Sequence, residues 1–224
     1  MKSYGQFCSL ARSLDVVGDR WTLLIVRELL IGPSRYSDLL RSLPGIASNL
    51  LADRLRMLAE SGVVNSEDAP PPTSAKVYSL TERGRSLQPV LVALAHWGVP
   101  YMAAGKGGDN SRGRWLGFAI LSLYPNEMNF GDTVVPLRLR IDSEGDHILV
   151  EAGPEGLTAV PCSRDVAADV TISGESDDVF GFLAGQAMDY SQIVVVGGDD
   201  ARRKLREFTK YAHTYGAELG QLRP

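Results

Sequence analysis

The chain has 224 residues, 44% of them hydrophobic, and a formal charge of −4 at pH 7, which suits one large or two modest soluble domains. Its apolar runs, such as residues 22–26 and 29–31, fall far short of the roughly 20 residues that span a bilayer, so no membrane association is expected. No signal-peptide pattern opens the chain, and two cysteines, Cys8 and Cys162, are too few for a disulfide framework or a clustered zinc site; the expected location is a reducing cytoplasm.

The charge is uneven along the chain. Residues 1–105 hold 11 Lys and Arg against 9 Asp and Glu, and residues 106–224 hold 12 against 18, so the halves are expected to serve different partners. In the first half the apolar spacing is mainly helical. Phe7, Leu10, Ala11, Leu14 and Val17 share one face; Trp21, Leu24, Ile25, Glu28 and Leu29 follow after Asp19, which reads as an N-cap. Tyr36, Leu39, Leu40 and Leu43 mark a short third helix closed by Pro44-Gly45, and a fourth from about 47 to 60 turns Leu51, Leu55 and Leu58 inward, with Gly62 as terminator. Two short strands, at Val63-Val64 and residues 77–80, flank a proline tip, Pro70-Pro71-Pro72; Thr81 then caps one last helix through Leu87, Leu91, Leu94 and Trp97. Four helices, a hairpin and a helix make a winged helix-turn-helix, whose fourth helix is placed to enter a major groove.

A small-residue stretch at 103–111 reads as a linker. It divides the chain into an expected DNA-binding and dimerisation domain, 1–105, and an α+β domain, 112–224. Beyond it, residues 114–123 read as a helix, and Leu137, Leu139 and Ile141 alternate with Arg138 and Arg140 as in a half-buried strand. Further strands are expected at 147–152, 157–161, 169–172 and 193–196, and helices at 177–188 and 201–213. The expected result is helices around a mostly antiparallel sheet.

Specific motifs narrow the first half. Cys8, Leu14-Asp15, Gly18-Asp19-Arg20-Trp21-Thr22-Leu23-Leu24-Ile25 and Arg27-Glu28-Leu29-Leu30 closely resemble the opening of HxlR-type regulators. So do Tyr36-Ser37-Asp38-Leu39-Leu40, Leu43-Pro44-Gly45-Ile46, Arg54-Leu55, Gly62-Val63-Val64 and Tyr78-Ser79-Leu80-Thr81-Glu82-Arg83-Gly84. The resemblance covers roughly residues 7–102 and implies a homodimeric regulator that binds double-stranded DNA. With the leucines inward, Ser48, Asn49, Ala52, Asp53 and Arg56 form the outer face of the fourth helix, where Ser48 and Asn49 would meet base edges or phosphate. Arg54 matches a family arginine that meets the DNA backbone. Arg35, Ser37, Arg41 and Lys76 suit phosphates; taken singly, each of these residues reads equally well as a solvated polar side chain. Asn65-Ser66-Glu67-Asp68 stands where the family carries an arginine, which puts the wing's phosphate contacts in doubt. Cys8 matches a position that is a redox-sensing thiol in some members; the plainer reading is a small buried hydrophobe.

In the second half, residues 168–179, Phe182-Leu183-Ala184-Gly185-Gln186 and 193–205 look like a sterol carrier protein domain, a resemblance covering roughly 115–212. It implies an apolar tunnel for a hydrophobic small molecule, with Phe118, Leu121, Phe180, Leu183, Met188 and Phe208 as wall residues; the plainer reading of each one singly is a residue that closes the core. His96, His147 and His213 fall in unlike contexts, and no catalytic, metal or phosphate-loop motif occurs, so neither an enzyme nor a cofactor is expected. The leading reading is a DNA-binding regulator modulated by an apolar effector. The alternative is a lipid or small-molecule carrier that uses the winged helix for dimerisation or partner binding.

Overall fold

Leu51, Leu55 and Leu58 recur at helical spacing, and in the computed structural model they are the fully buried stripe of the helix Ser48–Glu60. The structure describes residues 3–69, 75–102, 106–124, 136–153, 156–185 and 190–219. The prolines at 70–72, residues 103–105 of the expected linker and Met188 lie outside them. The architecture has two parts, a helical winged-helix region and a mixed, mostly antiparallel sheet with helices. Its contacts divide the chain into Met1–Leu91 and Val92–Pro224.

The first unit contains α1 (Ser9–Val17), α2 (Thr22–Ile31), β1 (Ser34–Arg35), α3 (Tyr36–Ser42), α4 (Ser48–Glu60), β2 (Val64–Asp68), β3 (Lys76–Leu80), α5 (Glu82–Arg85) and the first residues of α6 (Gln88–Gly98). Ile25, Val26 and Leu29 of α2, Leu39 of α3, the three leucines of α4 and Val63, Val64 and Leu80 form its core. The three strands run in the order β1-β3-β2, all antiparallel. Gly62 turns α4 into the hairpin at φ +68, a conformation that costs glycine least. Thr81 Oγ1 donates to the carbonyl of Gly62 at 2.7 Å and accepts from Gly84 N at 3.0 Å. Gly84 packs so closely that a Cβ would sit 2.2 Å from the Val63 oxygen. The glycine, valine and threonine motifs therefore fasten the base of the wing to α5.

Several local expectations change. Asp19 does not cap α2: that place belongs to Trp21, in the left-handed region at φ 80, and no side chain caps the helix. The helix expected after Thr81 is two helices, α5 and α6, because Thr81 caps a single turn that ends at Ser86 before the chain restarts at Gln88. Strand β1 is an addition, since two residues carry no alternation to read. Ala11 and Val17 of α1 are buried, but Leu10 and Leu14, and Phe7 just before the helix, are exposed, so that part of the expected apolar face lacks a partner among the described residues. Cys8 is exposed at the N-cap of α1 rather than buried, because the chain preceding the helix leaves it facing solvent.

The second unit holds the rest of α6, a 3₁₀ turn at Val99–Met102, α7 (Trp115–Leu123), β4 (Leu137–Ser143), β5 (Asp146–Gly153), β6 (Gly156–Pro161), β7 (Val170–Ser173), α8 (Ser176–Leu183), β8 (Val194–Gly197) and α9 (Asp199–Leu219). The sheet order is β6-β5-β4-β7-β8, with β4 and β7 parallel and the other pairs antiparallel. Glu144-Gly145, at φ 53 and 82, makes the two-residue turn between β4 and β5; positive φ at both positions suits the right-handed twist of a hairpin. Register places Leu139, Val150, Ala159 and Val170 in one buried cross-strand row and Ile141, Ile148 and Ile172 in the next. Helices α7 and α9 pack on the sheet, and α8 packs on both of them.

Candidate nucleic-acid interface

The outer face of α4 follows from its inner one. A helix that buries positions 51, 55 and 58 presents 49, 53 and 56 on the opposite side, with 52 at the flank; Asn49, Ala52, Asp53 and Arg56 are all exposed, and so is Ser48, which opens the helix with no preceding turn to cover it. No side chain caps the helix and its first turn holds no acidic residue, so the first-turn amides and the positive end of the helix dipole are available to an anion such as a DNA phosphate. Tyr36, at the start of α3, donates its hydroxyl to the Ser48 carbonyl at 2.6 Å and lies 2.8 Å from Ser48 Oγ. This fixes the first turn of α4 against α3 and occupies part of the bonding capacity of Ser48. The sequence marks Tyr36 only as one of the spaced residues of the third helix; its place twelve residues before Ser48 carries no local signal of that bond.

The cations fall into two groups. Arg56 reaches Asp53 at 2.8 Å and Arg41 reaches Asp38 at 3.4 Å, with all four side chains largely exposed; such pairs are weak, near 0–1 kcal/mol, and open readily toward a phosphate. Arg35, on the edge strand β1 opposite Val77, is exposed, as are Ser37 and Lys76. Lys76 stands directly across from Asp68 in the β2–β3 ladder, and Glu67 beside it faces Val77, so the described wing strands are acidic rather than basic. Arg54 differs from these. Its side chain is 19% exposed, and its guanidinium lies 2.5 Å from Asp19 Oδ2 and also contacts the Met57 sulfur at 3.2 Å. It braces the α1–α2 turn to the middle of α4, and the carboxylate that the sequence suggested as a cap is its partner.

In the second unit the expected wall residues divide by burial. Leu121, Leu183 and Phe208 are buried, Phe118 and Phe180 are half-buried, and Met188 lies outside the described residues. On the opposite face of the sheet, Asp142 accepts from Arg140 Nε at 3.0 Å and from Arg140 Nη2 at 3.1 Å, and lies 2.8 Å from His147 Nδ1. Burial raises the Asp142 carboxyl, but the Arg140 and His147 hydrogen bonds outweigh it and hold the group below the usual carboxylate range. Burial pushes the neighbouring Cys162 thiol up, Asp142 and Asp165 reinforce this, and Arg140 opposes it, so this thiol resists ionisation. His96 Nε2 lies 2.7 Å from the Ser122 carbonyl; the side chain of His213 is outside those described. Among the described residues no group of three His, Cys, Asp or Glu side chains gathers to hold a metal, and no helix is long and apolar enough to cross a membrane.

Residues 16–106 match the HxlR-like helix-turn-helix family. An HTH-type transcriptional regulator of Synechocystis, sll1512, is 37% identical over 98 residues, covering 44% of this chain and 73% of its own. The Mycobacterium bovis HTH-type transcriptional regulator Mb3122 is 41% identical over 99 residues; this chain spans 62% of its length. Among solved structures, the reduced form of the transcriptional regulator YodB from B. subtilis is 30% identical and covers 45% of this chain and 99% of its own, with a TM-score of 0.39.

Proposed function

Because the chain belongs to the HxlR-like helix-turn-helix family, we propose that it is a homodimeric DNA-binding transcriptional regulator whose second unit binds an apolar small molecule as effector. The observation that carries the DNA reading is α4: a helix fully buried along Leu51, Leu55 and Leu58 presents a wholly exposed polar face that begins at an uncapped N-terminus. Asn49 lies in its first turn, where a side-chain amide can pair with a base edge. Arg35, Ser37, Ser48, Arg56 and Lys76 take phosphate, Ala52 and Asp53 complete the surface facing the groove, and Arg54 positions the helix through Asp19.

Dimerisation is supported by exposed apolar side chains, Phe7 just before α1 and Leu10 and Leu14 along it, and Val90, Leu94 and Trp97 along α6. Two copies would supply the two recognition helices that a two-half-site operator needs. For the effector, the second unit joins a mostly antiparallel five-stranded sheet to helices over one apolar face, which is compatible with a sterol-carrier-like chamber. Cys8, exposed at the start of α1, is open to oxidants and is the residue at which redox sensing would act. Every relative named above is a transcriptional regulator, so the reading is of a regulator rather than an enzyme.

A second reading, a small-molecule carrier with the winged helix as a docking platform, draws on the Asp19, Asp38, Asp53 and Asp68 carboxylates beside the cations of the first unit. Selection of fragments from the genome of the source organism on the immobilised full chain, followed by footprinting, separates the two. A protected site with two half-sites about one helical turn apart supports the regulator; failure to enrich any fragment supports the carrier.

A further inference from the structure

The largest fully buried side chains of the described residues include Tyr124 and Phe208. These two stack on each other in the interior of the second unit, with ring centroids 4.3 Å apart and planes 15° from parallel. Tyr124 follows the last turn of α7, where its amide donates to the Ile120 carbonyl at 3.2 Å, and Phe208 comes from α9. The Tyr124 hydroxyl is buried and, among the described residues, has no hydrogen-bond partner. An orphaned hydroxyl is a cost that phenylalanine, with the same ring, would avoid.

The surroundings restrict what such a hydroxyl can bind. The inward side chains of β4 are Leu137, Leu139, Ile141 and, at its end, Ser143, whereas Arg138, Arg140 and Asp142 alternate onto the other face. Burial alone raises the phenol far above its ordinary value, with no charged neighbour contributing. The group therefore stays protonated as a hydrogen-bond donor, and no charged group among the described residues acts on it, so an ionised ligand beside it would be desolvated without compensation from them. The geometry points to Tyr124 as the polar anchor of the effector site, donating a hydrogen bond to the single neutral oxygen of an otherwise hydrocarbon ligand, a long-chain ketone, ester or alcohol rather than a fatty-acid anion. Phe208 holds the phenol ring in place. This deepens the effector reading above and rests on it.

The test uses the full chain and three ten-carbon probes, 2-decanone, decane and decanoate, titrated by calorimetry into wild type and Tyr124→Phe. Wild type is expected to bind 2-decanone about tenfold more tightly than decane, the gain of one buried hydrogen bond, and decanoate most weakly. Tyr124→Phe is expected to erase the preference for the ketone, to keep the affinity for decane, and to melt higher than wild type without ligand. Equal binding of 2-decanone and decane by wild type would overturn the anchor and leave an apolar effector standing. Preferred binding of decanoate would overturn the neutral ligand class. If no probe binds wild type and Tyr124→Phe still melts higher, the interior is a filled core, and the effector reading falls together with the anchor. A lower melting temperature for unliganded Tyr124→Phe would show that the hydroxyl is already satisfied, which also overturns the anchor.

Discussion

Arg54 offers the sharpest contrast between a side chain that holds α4 in place and one proposed to touch DNA. Its side chain is 19% exposed, and its guanidinium lies 2.5 Å from the carboxylate of Asp19, a side chain that is 50% exposed. Removing either partner ends the same ion pair, but the residue left behind differs. Arg54→Ala leaves an aspartate that water can solvate, and the expected loss is about 1 kcal/mol. Asp19→Ala strands a mostly enclosed guanidinium, and the expected loss is larger, about 2 kcal/mol, below the 3–5 kcal/mol of a fully buried pair because water still reaches the group. At ~4–8 °C per kcal/mol for a domain of this size, both variants should lower the first melting transition measurably, Asp19→Ala further. The salt dependence of DNA binding is the second readout. A bracing Arg54 leaves the slope of log K against log salt unchanged in Arg54→Ala, whereas Arg56→Ala and Arg35→Ala should each reduce it by about one phosphate contact. An Arg54→Ala protein with wild-type melting and a slope reduced by about one would refute the reasoning, because Arg54 would then leave Asp19 to pair with phosphate.

Asn49→Ala should cost ~1–3 kcal/mol on the selected operator and little on scrambled duplex, measured by parallel titrations; equal losses on both would remove direct readout by that residue. Leu94→Asp on α6 should shift the solution mass from dimer toward monomer at micromolar concentration, since the exposed apolar side chain becomes a charge in the proposed interface; an unchanged dimer would place the interface elsewhere. Asp142 supplies the pH dependence. Its folded carboxyl lies below the ordinary value, so its contribution to stability is full above the unfolded pKa near 4 and is lost as pH falls through the lower folded value. Asp142→Asn should therefore flatten the acid limb of the melting-temperature profile between about pH 5 and 2, and a limb that stays unchanged would assign the acid sensitivity to other carboxylates.

The contrast between Arg54 and Arg56 also shows where a sequence stops being legible. The leucines of α4 announce their helix because burial repeats every third or fourth residue, and the same repeat locates Asn49 and Arg56 on the outside. The alternation of apolar and charged residues along β4 likewise identifies its buried face. Long-range pairing leaves no such trace. Asp19 and Arg54 are thirty-five residues apart, and a carboxylate just before an apolar run looks the same whether it caps that helix or braces another. Two-residue β1 is too short for a period, and the apolar spacing from Leu87 to Trp97 hides the break that Thr81 creates by capping only one turn. Cys8 and the apolar residues of α1 fit an amphipathic pattern that sequence equates with burial, although that face is open in the single chain. The orphaned Tyr124 hydroxyl is equally out of reach, since a tyrosine in an apolar segment does not reveal which of its neighbours lacks a polar atom.

The most direct test of the account is the affinity of the full chain for its selected genomic fragment across a salt series from about 50 to 300 mM, with scrambled duplex of equal length as the reference. The account predicts tight binding at the low end, a steep linear fall of log K with log salt from released counterions, and a preference for the selected fragment that persists across the series. Absence of binding to either duplex at the lowest salt would contradict it.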